Sequence, residues 1–126
     1  MKELTRAEEQ VMQILWNKGK AFVKELLPHF PEPKPAYNTV STIIRILEKK
    51  GFVGHEEFGK SHRYFPAIDK DQYRDERFSN LMQGYFNNSM KQVLSHFSHK
   101  QNMDLKEADD LIRLLEEIKE NSNNHE

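Results

Sequence analysis

The stretch "YNTVSTIIRILEKKGF", Tyr37 to Phe52, decides how this chain folds. At helical spacing Val40, Ile43, Ile44 and Leu47 fall on one side, while Asn38, Thr39, Ser41, Thr42, Arg45 and Lys49 fall on the other. The pattern predicts a helix from about 37 to 50 with Gly51 at its C-terminal cap. Ala36 has no capping side chain, so Asn38 stands either at the cap or in the first turn.

Upstream, Thr5 and Glu8 form a T-x-x-E capping box, and Leu4, Ala7, Val11, Ile14 and Leu15 recur at helical spacing until Gly19. A first helix over about 5 to 18 follows. Val23, Leu26, Leu27 and Phe30 repeat the pattern and predict a second helix over about 21 to 30. The segment "PHFPEPKPAY" then holds four of the five prolines, which deny the backbone its N–H and break helix. It reads as a stiff connector; the other reading is a proline-rich ligand for a partner domain.

Downstream of Gly51, "FVGHEEF", "GKS" and "HRYFPAI" read as two short strands joined by a glycine turn. Helix, helix, connector, helix, hairpin is the plan of a winged helix-turn-helix. Residues 69 to 121 read as three more amphipathic helices. Phe78, Leu81, Met82 and Tyr85 share one face, and Met90, Val93, Leu94 and Phe97 a second. Leu105, Ala108, Leu111, Ile112, Leu115 and Ile118 share a third, opened by an Asp104 cap with Glu107. The fold class is therefore mostly α, with a small β-hairpin. Residues 1–68 form a winged-helix domain, 69–121 a helical dimerisation region and 122–126 a disordered tail.

The chain of 126 residues has a net charge of −1, no cysteine and a mean hydropathy of −0.86. The missing cysteines exclude disulfides, thiol catalysis and cysteine metal clusters. No apolar run approaches a bilayer span, and the acidic start "MKELTRAEEQ" lacks a signal peptide's apolar stretch, so a cytoplasmic protein without membrane insertion is expected. Charge is uneven: residues 1 to 68 carry 11 basic and 8 acidic side chains, the remainder 8 and 12. A basic front half points to a polyanion as partner for that half alone.

The polar side of helix 37–50 suits the major groove of double-stranded DNA. The groove, about 12 Å wide, admits one helix whose short hydroxyl side chains let the backbone approach base edges. Asn38, Thr39, Ser41, Thr42 and Arg45 are the candidate readers of bases or nearby phosphates. Lys49 and Lys50 lie further along and suit phosphate, and Lys60, His62 and Arg63 sit at the hairpin turn, where a wing meets the DNA backbone. Glu56 and Glu57 oppose that contact. An unremarkable solvated helix face is the plain alternative, and a winged-helix adaptor that binds protein and no DNA is the alternative function.

Fifty-eight residues bury little surface by themselves, so the C-terminal helices are expected to pack on a second copy, with Phe78, Leu81, Tyr85, Leu105, Leu111, Leu115 and Ile118 at the interface. Folding back on the first domain is the alternative. A two-fold dimer would set two reading helices about 34 Å apart, matching a palindromic operator. No nucleophile, base and orienter converge in the sequence, so no enzyme is expected. His96 and His99 lie at i, i+3 but lack further ligands, so neither metal nor cofactor is expected.

With these segments in view, the chain resembles the penicillinase-repressor family, the BlaI and MecI type of bacterial winged-helix repressor. The likeness lies in "LTRAEEQVMQILWNKGKAFVKELL", "YNTVSTIIRILEKKGFV" and "GKSHRYFPAI", most specifically in Glu8, Val11, Met12, Trp16, the T-V-x-T of Thr39 to Thr42, and Leu47, Lys50 and Gly51. The resemblance implies a homodimer that represses resistance or stress genes at palindromic operators. It also implies, for the β-lactamase branch, cleavage in the C-terminal domain triggered by a membrane sensor protease. The matching bond joins His96 to Phe97, where the family pattern has Asn before Phe. A copper-responsive branch senses through C-terminal cysteines, which this chain lacks.

Overall fold

The computed structural model describes residues 3–100 and 104–123. The order of elements is α1 (Arg6–Lys18), α2 (Val23–Leu26) continued by a 3-10 turn (Leu27–His29), α3 (Tyr37–Lys49), β1 (Val53–Phe58), β2 (Ser61–Pro66), α4 (Lys70–Tyr85), α5 (Met90–Lys100) and α6 (Leu105–Asn123). It divides into two compact units, one ending at Asn80 and one beginning at Leu81.

The capping box at the start of α1 forms in both directions. The Glu8 N–H donates to the Thr5 hydroxyl at 3.2 Å, and the Thr5 N–H donates to the Glu8 carboxylate at 2.8 Å. Gly19 ends the helix at φ +84°, its N–H on the Leu15 carbonyl at 2.8 Å. The second helix is shorter than its periodicity predicts. Pro28 cannot supply the N–H of an α-helical turn, so the chain tightens to 3-10 after Leu26. Ala21, expected inside that helix, is extended instead and exchanges both backbone hydrogen bonds with Tyr64, at 2.9 and 2.8 Å. The segment thus braces the hairpin.

Helix α3 begins at Tyr37, which places Asn38 in the first turn. Its end is a Schellman motif: the Phe52 N–H reaches the Leu47 carbonyl at 2.9 Å, the Gly51 N–H reaches that of Glu48 at 3.0 Å, and Gly51 takes φ +85°. Phe52 is thereby driven into the core beside Leu47. The hairpin that follows is antiparallel, with Glu56 opposite Arg63 and Glu57 opposite His62 across a Gly59–Lys60 turn. A Cβ on Gly54 would lie 2.6 Å from the Phe65 ring, so that position admits no side chain without a shift.

Val11, Met12, Leu15, Leu26, Val40, Ile44, Leu47 and Phe52 are fully buried and tie α1, α2, α3 and the hairpin into one core, with Ile43 at its edge. The early part of α4 belongs to this unit as well. The Tyr73 ring lies 5.6 Å from Phe52 and 5.8 Å from Trp16, its hydroxyl accepts from the Leu4 N–H at 3.3 Å, and Arg77 pairs with Glu3 at 3.0 Å. The sequence places its change of character at residue 69; this packing carries the first unit past that point.

In the second unit, Asn87 and Asn88 take positive φ between α4 and α5, a conformation Asn tolerates better than most residues. Ser89 caps α5, and Asp104 caps α6 by accepting from the Glu107 N–H at 2.8 Å. Apolar side chains here are largely uncovered: Leu105 is 84 % exposed, Tyr85 79 %, and Leu81, Met90, Ile112, Leu115 and Ile118 about half, while Leu111 is half-buried. Phe97, which shares the apolar face of α5 with Met90, Val93 and Leu94, is exposed. Helix α6 extends to Asn123; of the predicted tail, 124–126 lie outside the described residues.

Candidate nucleic-acid interface

Burial of Val40, Ile44 and Leu47 fixes the rotation of α3, and with it what the helix shows to solvent. Asn38, Thr39, Thr42, Arg45 and Lys49 are exposed, and Ser41 is half-buried. The Thr42 hydroxyl donates to the Asn38 carbonyl at 2.9 Å, which leaves its lone pairs and methyl outward. Arg45 rests its Nε–H on the Ser41 carbonyl at 3.4 Å, a long contact that leaves the guanidinium nitrogens beyond it projecting. No side chain caps the helix start, so the first-turn N–H groups add donors and partial positive charge to this surface.

Between the start of α2, the start of α3 and the hairpin runs a groove of about 660 Å³, lined among others by Phe22, Lys24, Tyr37, Ser41, Lys60 and His62. Lys24 and Tyr37 escaped the reading of the sequence. By spacing Tyr37 reads as core, three residues ahead of Val40 and seven ahead of Ile44, so nothing in the pattern marks it as exposed.

Ion pairing separates the free cations from the occupied ones. Lys60 and Lys49 are exposed. Lys50, read as a phosphate contact, instead donates to the buried Glu8 carboxylate at 2.7 Å, tying the end of α3 to α1. Burial alone would raise the Glu8 carboxyl; the Lys50 ammonium and the Thr5 hydrogen bonds outweigh it and hold the group below its ordinary range. Arg63 lies over the Phe58 ring, 4.7 Å from its centroid, and donates to Glu56 at 3.0 Å. Lys20 donates to the other Glu56 oxygen at 2.6 Å. These two hydrogen bonds hold the Glu56 carboxyl below its ordinary range, so Glu56 opposes phosphate far less than sequence alone suggests, and Arg63 is largely committed to neutralising it.

The hairpin also gathers His55, Glu57 and His62, whose ligand atoms lie within 4.8 Å of one another; among the described residues no other group of three such side chains is this close. The His96 and His99 pair has no third partner of that kind among the described residues. His96 stands 6.1 Å from the Phe86 ring, and the His96–Phe97 bond lies inside helix α5.

The chain is similar to known proteins along most of its length. The family model described as Penicillinase repressor matches residues 4–117. The chain is 23 % identical over 118 residues to the penicillinase repressor of Bacillus licheniformis, covering 93 % of this chain and 92 % of the relative. It is 23 % identical over 114 residues to the methicillin resistance regulatory protein MecI of Staphylococcus aureus (strain N315), covering 90 % and 93 %. Among solved structures it is similar to the DNA-binding domain of the repressor BlaI, with 27 % identity, a TM-score of 0.49, and coverage of 58 % of this chain and 94 % of that one. The chain belongs to the penicillinase repressor family, a family of DNA-binding transcriptional repressors and not of enzymes.

Proposed function

We propose that the chain is a cytoplasmic homodimeric repressor that binds palindromic operators, with α3 in the major groove and the hairpin against the phosphate backbone. The observation that carries this reading is the outer face of α3, where Thr39, Thr42 and Arg45 are exposed beside an uncapped helix start. Asn38, Thr39, Ser41, Thr42 and Arg45 read base edges or adjacent phosphates. Lys49, Lys60 and Lys24 grip the backbone, and Arg63 serves mainly to keep Glu56 neutralised. No described helix is long and apolar enough to cross a membrane.

Dimerisation is proposed through the uncovered apolar faces of α4, α5 and α6, with Phe78, Leu81, Tyr85, Leu105, Leu111, Leu115 and Ile118 as contacts. A second copy would bury what the single chain leaves wet. Cleavage at His96–Phe97 by a sensor-triggered protease would first require that turn of α5 to unwind, since extended segments are what proteases engage.

Titration of a palindromic fragment from upstream of the chain's own gene, in competition with random DNA and over a range of salt, tests the reading. Preference for the fragment with a steep log–log loss of affinity in salt is the expected result. Equal affinity for both DNAs would overturn it.

A further inference from the structure

One face of the hairpin carries a histidine cluster to which the proposed base and phosphate contacts assign no role. His55 and Glu57 alternate along β1, and the register sets His62 opposite Glu57 and Tyr64 opposite His55. The imidazoles of His55 and His62 lie nearly parallel, 8° apart, with centroids 4.1 Å apart. Buried Tyr64 stands beside both on the same face, its ring centroid 5.9 Å from that of His55 and 6.0 Å from that of His62.

The second observation comes from α3. The Glu48 carboxylate accepts a hydrogen bond from His55 Nδ1. That bond engages Nδ1 and leaves Nε2 as the ring nitrogen available to a metal ion. A carboxylate behind a histidine is the orientation that metal-bound imidazoles almost always have, because it fixes the tautomer and raises ligand basicity.

We propose that His55 Nε2, His62 and a Glu57 carboxylate oxygen bind a borderline divalent transition-metal ion such as zinc, with Glu48 orienting His55 and a fourth position left to water. Two imidazoles favour zinc, cobalt, nickel or copper over magnesium or calcium, which prefer all-oxygen sets. Ligands at metal bonds of about 2.0–2.1 Å in a tetrahedral site stand about 3.3 Å apart. The present spread of up to 4.8 Å therefore has to close, and the stacked rings must turn so that their lone pairs converge. Glu57 and His62 are exposed and can make that adjustment by side-chain rotation alone. Charge also balances: the two carboxylates Glu48 and Glu57 offset the dication.

The test uses the untagged full-length chain without DNA, so that its outcome is independent of the proposed operator binding. Cobalt(II) is titrated into the metal-free protein, followed by zinc(II). Expected are one equivalent of cobalt per chain, visible bands of a four-coordinate site, and their loss on zinc addition. His62→Ala, at an exposed position that leaves the fold intact by circular dichroism, should abolish stoichiometric binding. Glu48→Gln should weaken binding about 10- to 100-fold. His96→Ala with His99→Ala should change nothing. Absence of stoichiometric cobalt binding, wild-type affinity in His62→Ala, or a site lost with His96 and His99 would each overturn the proposal.

Discussion

The two units use one amphipathic pattern to opposite ends. In the first, the periodic apolar residues of α1 and α3, Val11, Leu15, Val40, Ile44 and Leu47, are fully buried within the chain. In the second, residues in equally regular register, Leu105, Ile112, Leu115 and Ile118, remain half or more exposed. The first closes its core with its own elements and leaves a polar surface for the proposed DNA contact. The second keeps an apolar face uncovered, and the proposed dimer would complete it with a second copy.

That contrast breaks most sharply at the second unit. Leu111→Glu with Leu115→Glu should yield monomers in sedimentation and weaken operator binding about 10²- to 10⁴-fold, since linked half-sites no longer bind together. Thermal unfolding of the first unit should be unchanged. A variant that stays dimeric would move the interface elsewhere.

The first unit breaks through its core tie. Lys50→Met leaves the buried Glu8 carboxylate without its cation and should cost about 1–3 kcal/mol in denaturant unfolding, the lower range fitting a lysine partly open to water. The same pair sets an acid dependence. Because the native Glu8 carboxyl is lowered from its ordinary 4.5, its contribution is complete above that value and disappears as pH falls through the lowered native one. Wild-type stability should fall over that acidic window, and Lys50→Met should flatten the fall.

The polar surface answers to smaller changes. Arg45→Ala should cost about 1–3 kcal/mol at the operator while leaving random-DNA binding nearly intact; an adaptor that binds no DNA would show no such loss. Lys60→Ala should weaken all DNA alike and lower the salt slope by about 1, as read from affinities at several salt concentrations. An unaltered slope would remove the hairpin turn from the backbone contact.

Much of this was legible in the sequence because it is local. The Thr5–Glu8 box, the two faces of α3, the Gly51 cap and the glycine turn of the hairpin are set by residues within a few positions of one another. What was missed depends on distance or register. Lys50 and Glu8 meet across 42 positions, so nothing local marks Lys50 as taken. Arg63, Glu56 and Lys20 form one cluster only once the strands are aligned, and so do His55, Glu57 and His62. The second helix was overread because periodicity continued through Pro28, where the missing N–H tightens the turn.

The central claim, that the outward side of α3 meets DNA, is tested most directly by amide chemical shifts recorded as operator DNA is added to the full chain. The account predicts changes concentrated at Asn38 to Arg45 and at Gly59 and Lys60, with α6 little affected. Changes confined to α4–α6, or none at Thr39, Thr42 and Arg45 at saturating DNA, would contradict it.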